Sequence, residues 1–412
     1  MQWLLNHGVL VVIITLSLAL GRVFTSTANS DSTTNSASPA SIPSPVAPST
    51  PALPLRLLSM EQFPASIAQD EQLWQPSRHD RAALLRAIDH SLRYLQTPAA
   101  IAAYRSYPVP GISRERVQRS LERFQQLVQT SRSAQELAAA VRQEFAVYQS
   151  VGKDGQGTVM FTGYFEPVYL ASRQPTAEFR YPLYRRPPDL DTWTKPHPTR
   201  AQLEGIDGLQ GDRGRLRGLQ LVWLRDRLEA FLVHVQGSAR LRLPDGRVMT
   251  VGYAGRTEHP YTSIGRELVK DGKLRLEDLT LQTLVAYFQQ HPEELNRYLP
   301  RNRSFIFFRE TDGQEPTGSL SVPVTAERSI ATDKSLMPPG ALALIHTRLP
   351  TTSITAPSQQ PWVSRYVLDQ DTGSAIRGAG RVDIFMGTGK QAGDRAGVIN
   401  SPGSLYYLLL KE

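Results

Sequence analysis

The chain has 412 residues, a formal charge of +8 and no cysteine, which excludes disulfides, thiolate metal sites and cysteine nucleophiles. Hydrophobic content of 40% and charged content of 20% are those of a globular protein large enough for two cores. The basic balance points to an anionic partner, yet the basic residues are scattered and carry no nucleic-acid motif, so nucleic acid is not expected.

Val9 to Leu20 is an apolar run. It is shorter than the roughly 20 residues of a spanning helix and fits the core of an export signal, with cleavage after Ala28. Retention of residues 1–28 as an uncleaved membrane anchor is the alternative. Thr25 to Pro54 is rich in Ser, Thr, Pro and Ala. It cannot bury enough apolar surface to fold and reads as a tether, giving a linker over 29–55.

Three helices are expected next. Ser77–Gln96 repeats Leu84, Leu85, Ile88, Leu92 and Leu95 at helical spacing, and Arg114–Gln129 places Val117, Leu121, Phe124 and Val128 on one face. Ser133–Gln149 opens on a capping box, Ser133 with Glu136. From Gly157 the pattern changes to short β-prone runs punctuated by Gly and Pro. Val159–Phe165, Leu219–Arg225, Phe231–Gln236, Ala239–Leu243 and Arg247–Tyr253 read as strands, with a hairpin turn at Pro244-Asp-Gly246. Thr262–Lys270 and Leu276–His291 read as helices. Ser304–Arg309 returns to strand, and from Ser319 the chain is mostly β.

Asp369 to Gly397 stands apart, because a stretch this rich in glycine and carboxylate packs little. Trp362–Leu368 before it is β-prone, Asp371-Thr-Gly-Ser374 is turn chemistry, and Arg381–Met386 alternates. Val382, Ile384 and Met386 point one way, Asp383 and Phe385 the other. Asp383 therefore sits on a rigid strand with a greasy opposite face, across a presumed hairpin from Asp371. Asp-Thr-Gly-Ser also surrounds the catalytic carboxylate of pepsin-like proteases, but those need two such carboxylates and the motif occurs once. Gly387-x-Gly389 follows a strand with no helical run expected after it, so it is not read as a phosphate loop. The eight histidines are dispersed, without metal-ligand spacing. No metal and no other cofactor is expected.

Several blocks, taken in order, carry a more specific signal. Asp371-x-Gly373-x-x-Ile376-Arg377-Gly378, Val382-Asp-Ile-Phe385, Gly387-x-Gly389 and Ala392-Gly-x-x-Ala-Gly397 resemble the C-terminal three-aspartate (3D) segment of the membrane-bound lytic murein transglycosylase A family. Phe161-Thr-Gly-Tyr-Phe-Glu-Pro-Val168, Tyr181-Pro-Leu-Tyr-Arg-Arg-Pro187, Val235-Gln-Gly-Ser238, Tyr253-Ala-Gly255, Tyr261-Thr-Ser-Ile-Gly265, Ser304-Phe-Ile-Phe-Phe308, Ser321-Val-Pro323, Asp333 and Pro338-Pro-Gly340 agree with it. The resemblance runs from about Leu57 to Lys411. It implies a mainly β fold with N-terminal helices (α+β). A double-psi β-barrel domain from 56–164 and 314–412 would face a smaller inserted β-barrel domain, 165–313, across a groove. Family members are often lipoproteins anchored through a cysteine, which this chain lacks.

The resemblance implies cleavage of the β-1,4 bond between N-acetylmuramic acid and N-acetylglucosamine in peptidoglycan, with a leaning toward strand ends. The muramyl C6 hydroxyl attacks its own anomeric carbon and leaves a 1,6-anhydro ring, so one carboxyl can serve as acid and then base. That carboxyl aligns with Asp383, and Asp371 is expected to orient or tune it. Thr162, Gly163, Tyr164, Gln236, Gly237, Ser238 and Gly373 are expected to bind the glycan, Tyr164 by stacking and hydrogen bonding. Asp394 is expected to hold its Gly-rich turn, and Glu166 to be structural. The alternatives are a muramidase-type hydrolase with a second carboxylate and a wall-binding module that cuts nothing. An exported envelope protein acting on peptidoglycan strands is the expected setting.

Overall fold

The structure is a computed structural model that describes residues 53–75, 80–311, 313, 315–350 and 359–412. Val9–Leu20, Ala28 and the tether up to residue 52 lie outside the described residues.

A short strand, β1 (Leu55–Leu58), leads to four helices: α1 (Asp80–Leu95), α2 (Pro98–Arg105), α3 (Arg114–Thr130) and α4 (Ala134–Glu144). The amphipathic face expected of α3 is its buried face, with Val117, Leu121, Phe124 and Val128 all at zero exposure. Each such side chain contributes roughly 1.5–3 kcal/mol on burial. Ser133 caps α4 through the Glu136 N–H as expected, but the Glu136 carboxylate reaches back to the Arg132 N–H instead. The predicted helix over 133–149 ends early. From Phe145 the chain is strand β2 (Phe145–Ser150), because Phe145, Val147 and Tyr148 are drawn into the sheet core. Helical spacing alone could not place that boundary.

After β3 (Val159–Glu166), the middle of the chain supplies β4 (Val168–Ser172), β5 (Tyr181–Tyr184), α5 (Arg200–Glu204), β6 (Gln220–Leu224), α6 (Arg227–Gln236), β7 (Ser238–Arg242) and β8 (Val248–Arg256). Then come α7 (Ile264–Lys270), α8 (Leu281–Gln290), α9 (Leu295–Tyr298) and β9 (Ile306–Thr311). The expected strand Phe231–Gln236 is instead the end of helix α6. Asp226 caps that helix by accepting from the Glu229 N–H, and Gly237 stops it at φ +79°. Its buried residues, Leu228 and the unbroken run from Ala230 to His234, hide the helical period, so β-branched and aromatic composition misleads there. The expected helix 276–291 is interrupted, and α8 starts only after Thr280 caps it.

The C-terminal part holds β10 (Ser329–Ala331), β11 (Leu342–Arg348), β12 (Trp362–Asp371), β13 (Arg381–Thr388), α10 (Lys390–Ala396) and β14 (Asn400–Leu410). Two corrections fall here. First, β12 and β13 do not form a hairpin. The three-residue β10 lies between them, parallel to β12 and antiparallel to β13, and so short a strand has no sequence period to betray it. Second, a helix does follow Gly389. Its small face, Ala392, Gly393 and Ala396, is buried, and a Cβ on Gly393 would stand 2.7 Å from the Phe165 ring. These small residues look like turn chemistry but serve close helix–strand packing. Asp394 consequently does not hold a turn. It lies on α10, accepts from Lys390, and its carbonyl accepts from Gln282.

The strands form two sheets. One has the order β1-β2-β14-β11-β12-β10-β13-β3, and β3 also pairs with β14, closing a ring of strands. The other is β5-β6-β4-β7-β8-β9. The helices α1 and α3 cover the ring, where Phe124 packs on Tyr366 at 4.9 Å. Buried Asp70 sits between Arg328 and Arg365 on the ring side. Removing one partner from such a buried cluster costs about 3–5 kcal/mol, so the helical segment is firmly tied to the ring of strands that carries Asp383.

Candidate active site

The parallel pairing of β3 with β13 sets Thr162 beside Asp383 and Tyr164 beside Phe385. Two stretches separated by more than 200 positions thus become one surface. Alternation holds on β13: Val382, Ile384 and Met386 are buried in the core, and Asp383 is half-buried on the other face.

Thr162 Oγ1 donates to Asp383 Oδ1 at 2.8 Å. The other Asp383 oxygen has no hydrogen-bond partner among the described residues, which leaves it for a ligand. Burial pushes the Asp383 carboxyl up to about 6. The Thr162 hydroxyl and the Arg381 guanidinium pull against this, and Asp371 adds a smaller push upward. A carboxyl raised toward neutrality is suited to give and take a proton, the property a general acid and base needs.

Asp371, at the end of β12, is differently held. Its Oδ2 accepts from the Tyr164 hydroxyl at 2.8 Å, and its Oδ1 accepts from the backbone N–H of Ser319 at 2.7 Å and of Thr372 at 2.8 Å. Burial raises its carboxyl, while these donors and Lys334 pull it back. Both oxygens are engaged, which ties Asp371 to Tyr164 and to the 319 loop. Tyr164 packs its ring against Phe385 at 5.3 Å. Burial and Asp371 keep its phenol protonated, well above the ordinary tyrosine range.

A cleft of about 290 Å³ opens over these groups. Tyr164, Gln236, Gly237, Ser238, Asp371, Gly373 and Asp383 line it together. Gln236 Oε1 accepts from the Phe165 N–H at 3.1 Å, tying α6 to β3. A Cβ on Gly237 would meet nothing within 4 Å, so there the left-handed backbone, and not crowding, requires glycine. Two predicted binding residues do not line this cleft. Thr162 stands behind Asp383 as its hydrogen-bond donor. Gly163 turns toward α10, where a Cβ would lie 2.8 Å from Ala396 Cα and 2.9 Å from Ile399 Cδ1. Its role is close packing. Glu166 is buried in an ion pair with Arg240 and accepts from Thr388, away from the cleft lining.

The cleft also contains residues the sequence reading gave no role. Lys334 binds Asp369, Thr332 and the Asp371 carbonyl, fixing the end of β12. Asp333 accepts from Ser335 and the Gly378 N–H, and Arg377 stands 3.8 Å from it. Tyr253, 45% exposed, and Arg256 also line the cleft. Asp333, Tyr253 and Arg377 all stand in the motif blocks quoted above, and that was the available signal. Among the described residues no cluster of His, Asp or Glu could hold a metal ion.

The chain is similar to several known proteins in sequence and in fold. A family profile described as the MltA specific insert domain matches residues 160–309, and one described as the 3D domain matches 328–409. Membrane-bound lytic murein transglycosylase A of Escherichia coli K12 is 32% identical over 263 residues, which are 63% of this chain and 68% of that protein. A homolog from Buchnera aphidicola is 30% identical over 265 residues, 64% of this chain and 69% of its own. Among solved structures, a membrane-bound lytic murein transglycosylase from Agrobacterium tumefaciens matches with a TM-score of 0.67 and 28% identity, covering 86% of this chain and 97% of that one. E. coli MltA with bound chitohexaose matches with a TM-score of 0.67 and 26% identity, covering 87% and 95%.

Proposed function

The chain belongs to the membrane-bound lytic murein transglycosylase A family, and from that premise we propose that it is a peptidoglycan lytic transglycosylase with Asp383 as its one acid and base. Protonated Asp383 gives its proton to the glycosidic oxygen as the bond between N-acetylmuramic acid and N-acetylglucosamine breaks. As carboxylate it then takes the proton of the muramyl C6 hydroxyl, which closes the 1,6-anhydro ring.

The observation that carries this reading is the contrast between the two carboxyls. Asp383 is raised to about 6 with one oxygen uncommitted. Asp371 is occupied by three donors and offers no free oxygen to activate water or attack carbon. That contrast supports a single-carboxyl mechanism over a two-carboxylate hydrolase. Tyr164, Gln236, Gly237, Ser238 and Gly373 bind the glycan in the cleft, and Thr162 tunes Asp383 from behind.

We read the closed ring as a double-psi β-barrel. Its support is six strands that include the parallel pairs β10–β12 and β13–β3. The domain division proposed is 56–164 with 314–412, and 165–313 inserted. The setting is the cell envelope, with the N-terminal segment as signal or anchor.

The test is digestion of purified sacculi by the full chain in ¹⁸O-labelled water, with mass analysis of the soluble products. Anhydromuropeptides without the label are expected. Labelled reducing ends would make the protein a hydrolase, and binding without any product would make it a wall-binding module.

A further inference from the structure

Asp383 has a cationic side that the mechanism above leaves unused. Alternation on β13 puts Arg381 on the same face as Asp383 and Phe385, on the far side of Asp383 from Phe385. One Arg381 N–H donates to Thr162 Oγ1 at 3.2 Å, and the same hydroxyl donates to Asp383 at 2.8 Å. The guanidinium is thereby held in place with most of its five donors uncommitted.

Arg381 is half-buried, and among the described residues no carboxylate pairs with it. Burying an unpaired charge is costly. Asp383 is the nearest anion, but its role requires it to become neutral in each cycle. Arg266, at the exposed start of α7, lies within electrostatic reach of Arg381 and is likewise without an ion pair among the described residues. Tyr261, from the same stretch, lies within reach of both Asp383 and Arg266 and hydrogen-bonds Ser263. By contrast, Arg240, Arg377 and Arg395 each have a carboxylate partner. Two neighbouring cations whose nearest anion is Asp383, itself neutral for part of each cycle, form an arrangement that an incoming carboxylate completes.

We propose that Arg381, assisted by Arg266, binds a carboxylate of the muramyl side group next to the scissile bond, so that the site prefers carboxylated glycan to neutral glycan. The proposal rests on the reading of this cleft as a peptidoglycan site. In peptidoglycan the carboxylate comes either from the lactyl group of a peptide-free muramyl residue or from the stem peptide attached to it. Arg381 would be a specificity-determining residue that also positions Thr162.

The experiment measures binding to the full chain carrying Asp383→Asn, with and without Arg381→Gln, for three ligands: chitohexaose, peptide-free glycan strands and stem-bearing strands. Arg381→Gln is expected to weaken at least one carboxylated ligand by about tenfold more than it weakens chitohexaose. Arg381→Lys should recover part of the loss, and rising salt should erode the preference. A selective loss on peptide-free strands alone assigns the lactyl carboxylate, and a selective loss on stem-bearing strands assigns the stem. Equal loss on all three ligands, or no loss on any, overturns the proposal. The proposed reaction fails separately, through absence of anhydro products from the parent, and the binding comparison still reads the role of Arg381.

Discussion

Replacing Asp383 by Asn should stabilise the protein while abolishing its chemistry. The folded carboxyl is raised from 3.8 to about 6, with burial as the main cause. The native state therefore holds this proton more tightly than the unfolded chain does. Between about pH 4 and 6, raising the pH favours the unfolded state, and above about 6 the full penalty of the buried carboxylate is present. Two pKa units correspond to about 3 kcal/mol at 1.36 kcal/mol per unit. Asn carries no charge and can still accept from Thr162 through its side-chain oxygen. Urea and thermal unfolding of parent and variant at pH 4 and pH 8 measure the difference. The variant should be more stable by roughly 2–3 kcal/mol at pH 8 and nearly equal at pH 4. A variant less stable than the parent at pH 8, or a gain independent of pH, would refute the claim that burial raises Asp383.

The parent's kcat/KM should fall as pH rises above about 6, because the free enzyme must hold the Asp383 proton for the first step. Thr162→Val removes the bond that favours the carboxylate and should move that alkaline limb upward by roughly one unit; an unmoved limb would remove Thr162 from the account. Asp371→Asn keeps an acceptor for the Ser319 and Thr372 N–H groups and should lower activity less than Asp383→Asn does, measured on the same sacculi. Gly163→Ala drives a methyl into Ala396 and Ile399 and should cost roughly 1–3 kcal/mol in unfolding experiments. Glu166→Gln should cost a similar amount by breaking the pair with Arg240, with kcat per folded molecule little changed.

What the sequence made legible followed from period and motif. The buried face of α3, the alternation around Asp383 and the strand of the Phe161 block can each be read from local spacing, because side-chain direction is fixed by helix or strand geometry. The proximity of Thr162 to Asp383 was not legible that way. It depends on a parallel pairing of β3 with β13, and nothing local in either stretch encodes it. The hairpin expected between β12 and β13 failed because β10, three residues long, is decided by its neighbours. Helices α6 and α10 were missed for opposite reasons. The first is buried nearly all round, so its apolar run has no polar face. The second is built of Gly and Ala, whose small size serves contact with Phe165. In the site, the glycines were read as groove-lining, yet Gly163 is small for the sake of the helix behind it. A lone arginine on a strand, such as Arg381, has no signature in the sequence, because its surroundings are set by the fold.

The central claim is that one carboxyl, Asp383, carries both proton transfers. The most direct measurement is the yield of anhydromuropeptides from purified sacculi for the parent, Asp383→Asn and Glu166→Gln, each quantified per folded molecule by mass spectrometry. Asp383→Asn should lose at least about a thousandfold, with Glu166→Gln close to the parent. Anhydro products from Asp383→Asn at a tenth of the parental rate or more would contradict the assignment and move the acid to another residue of the cleft.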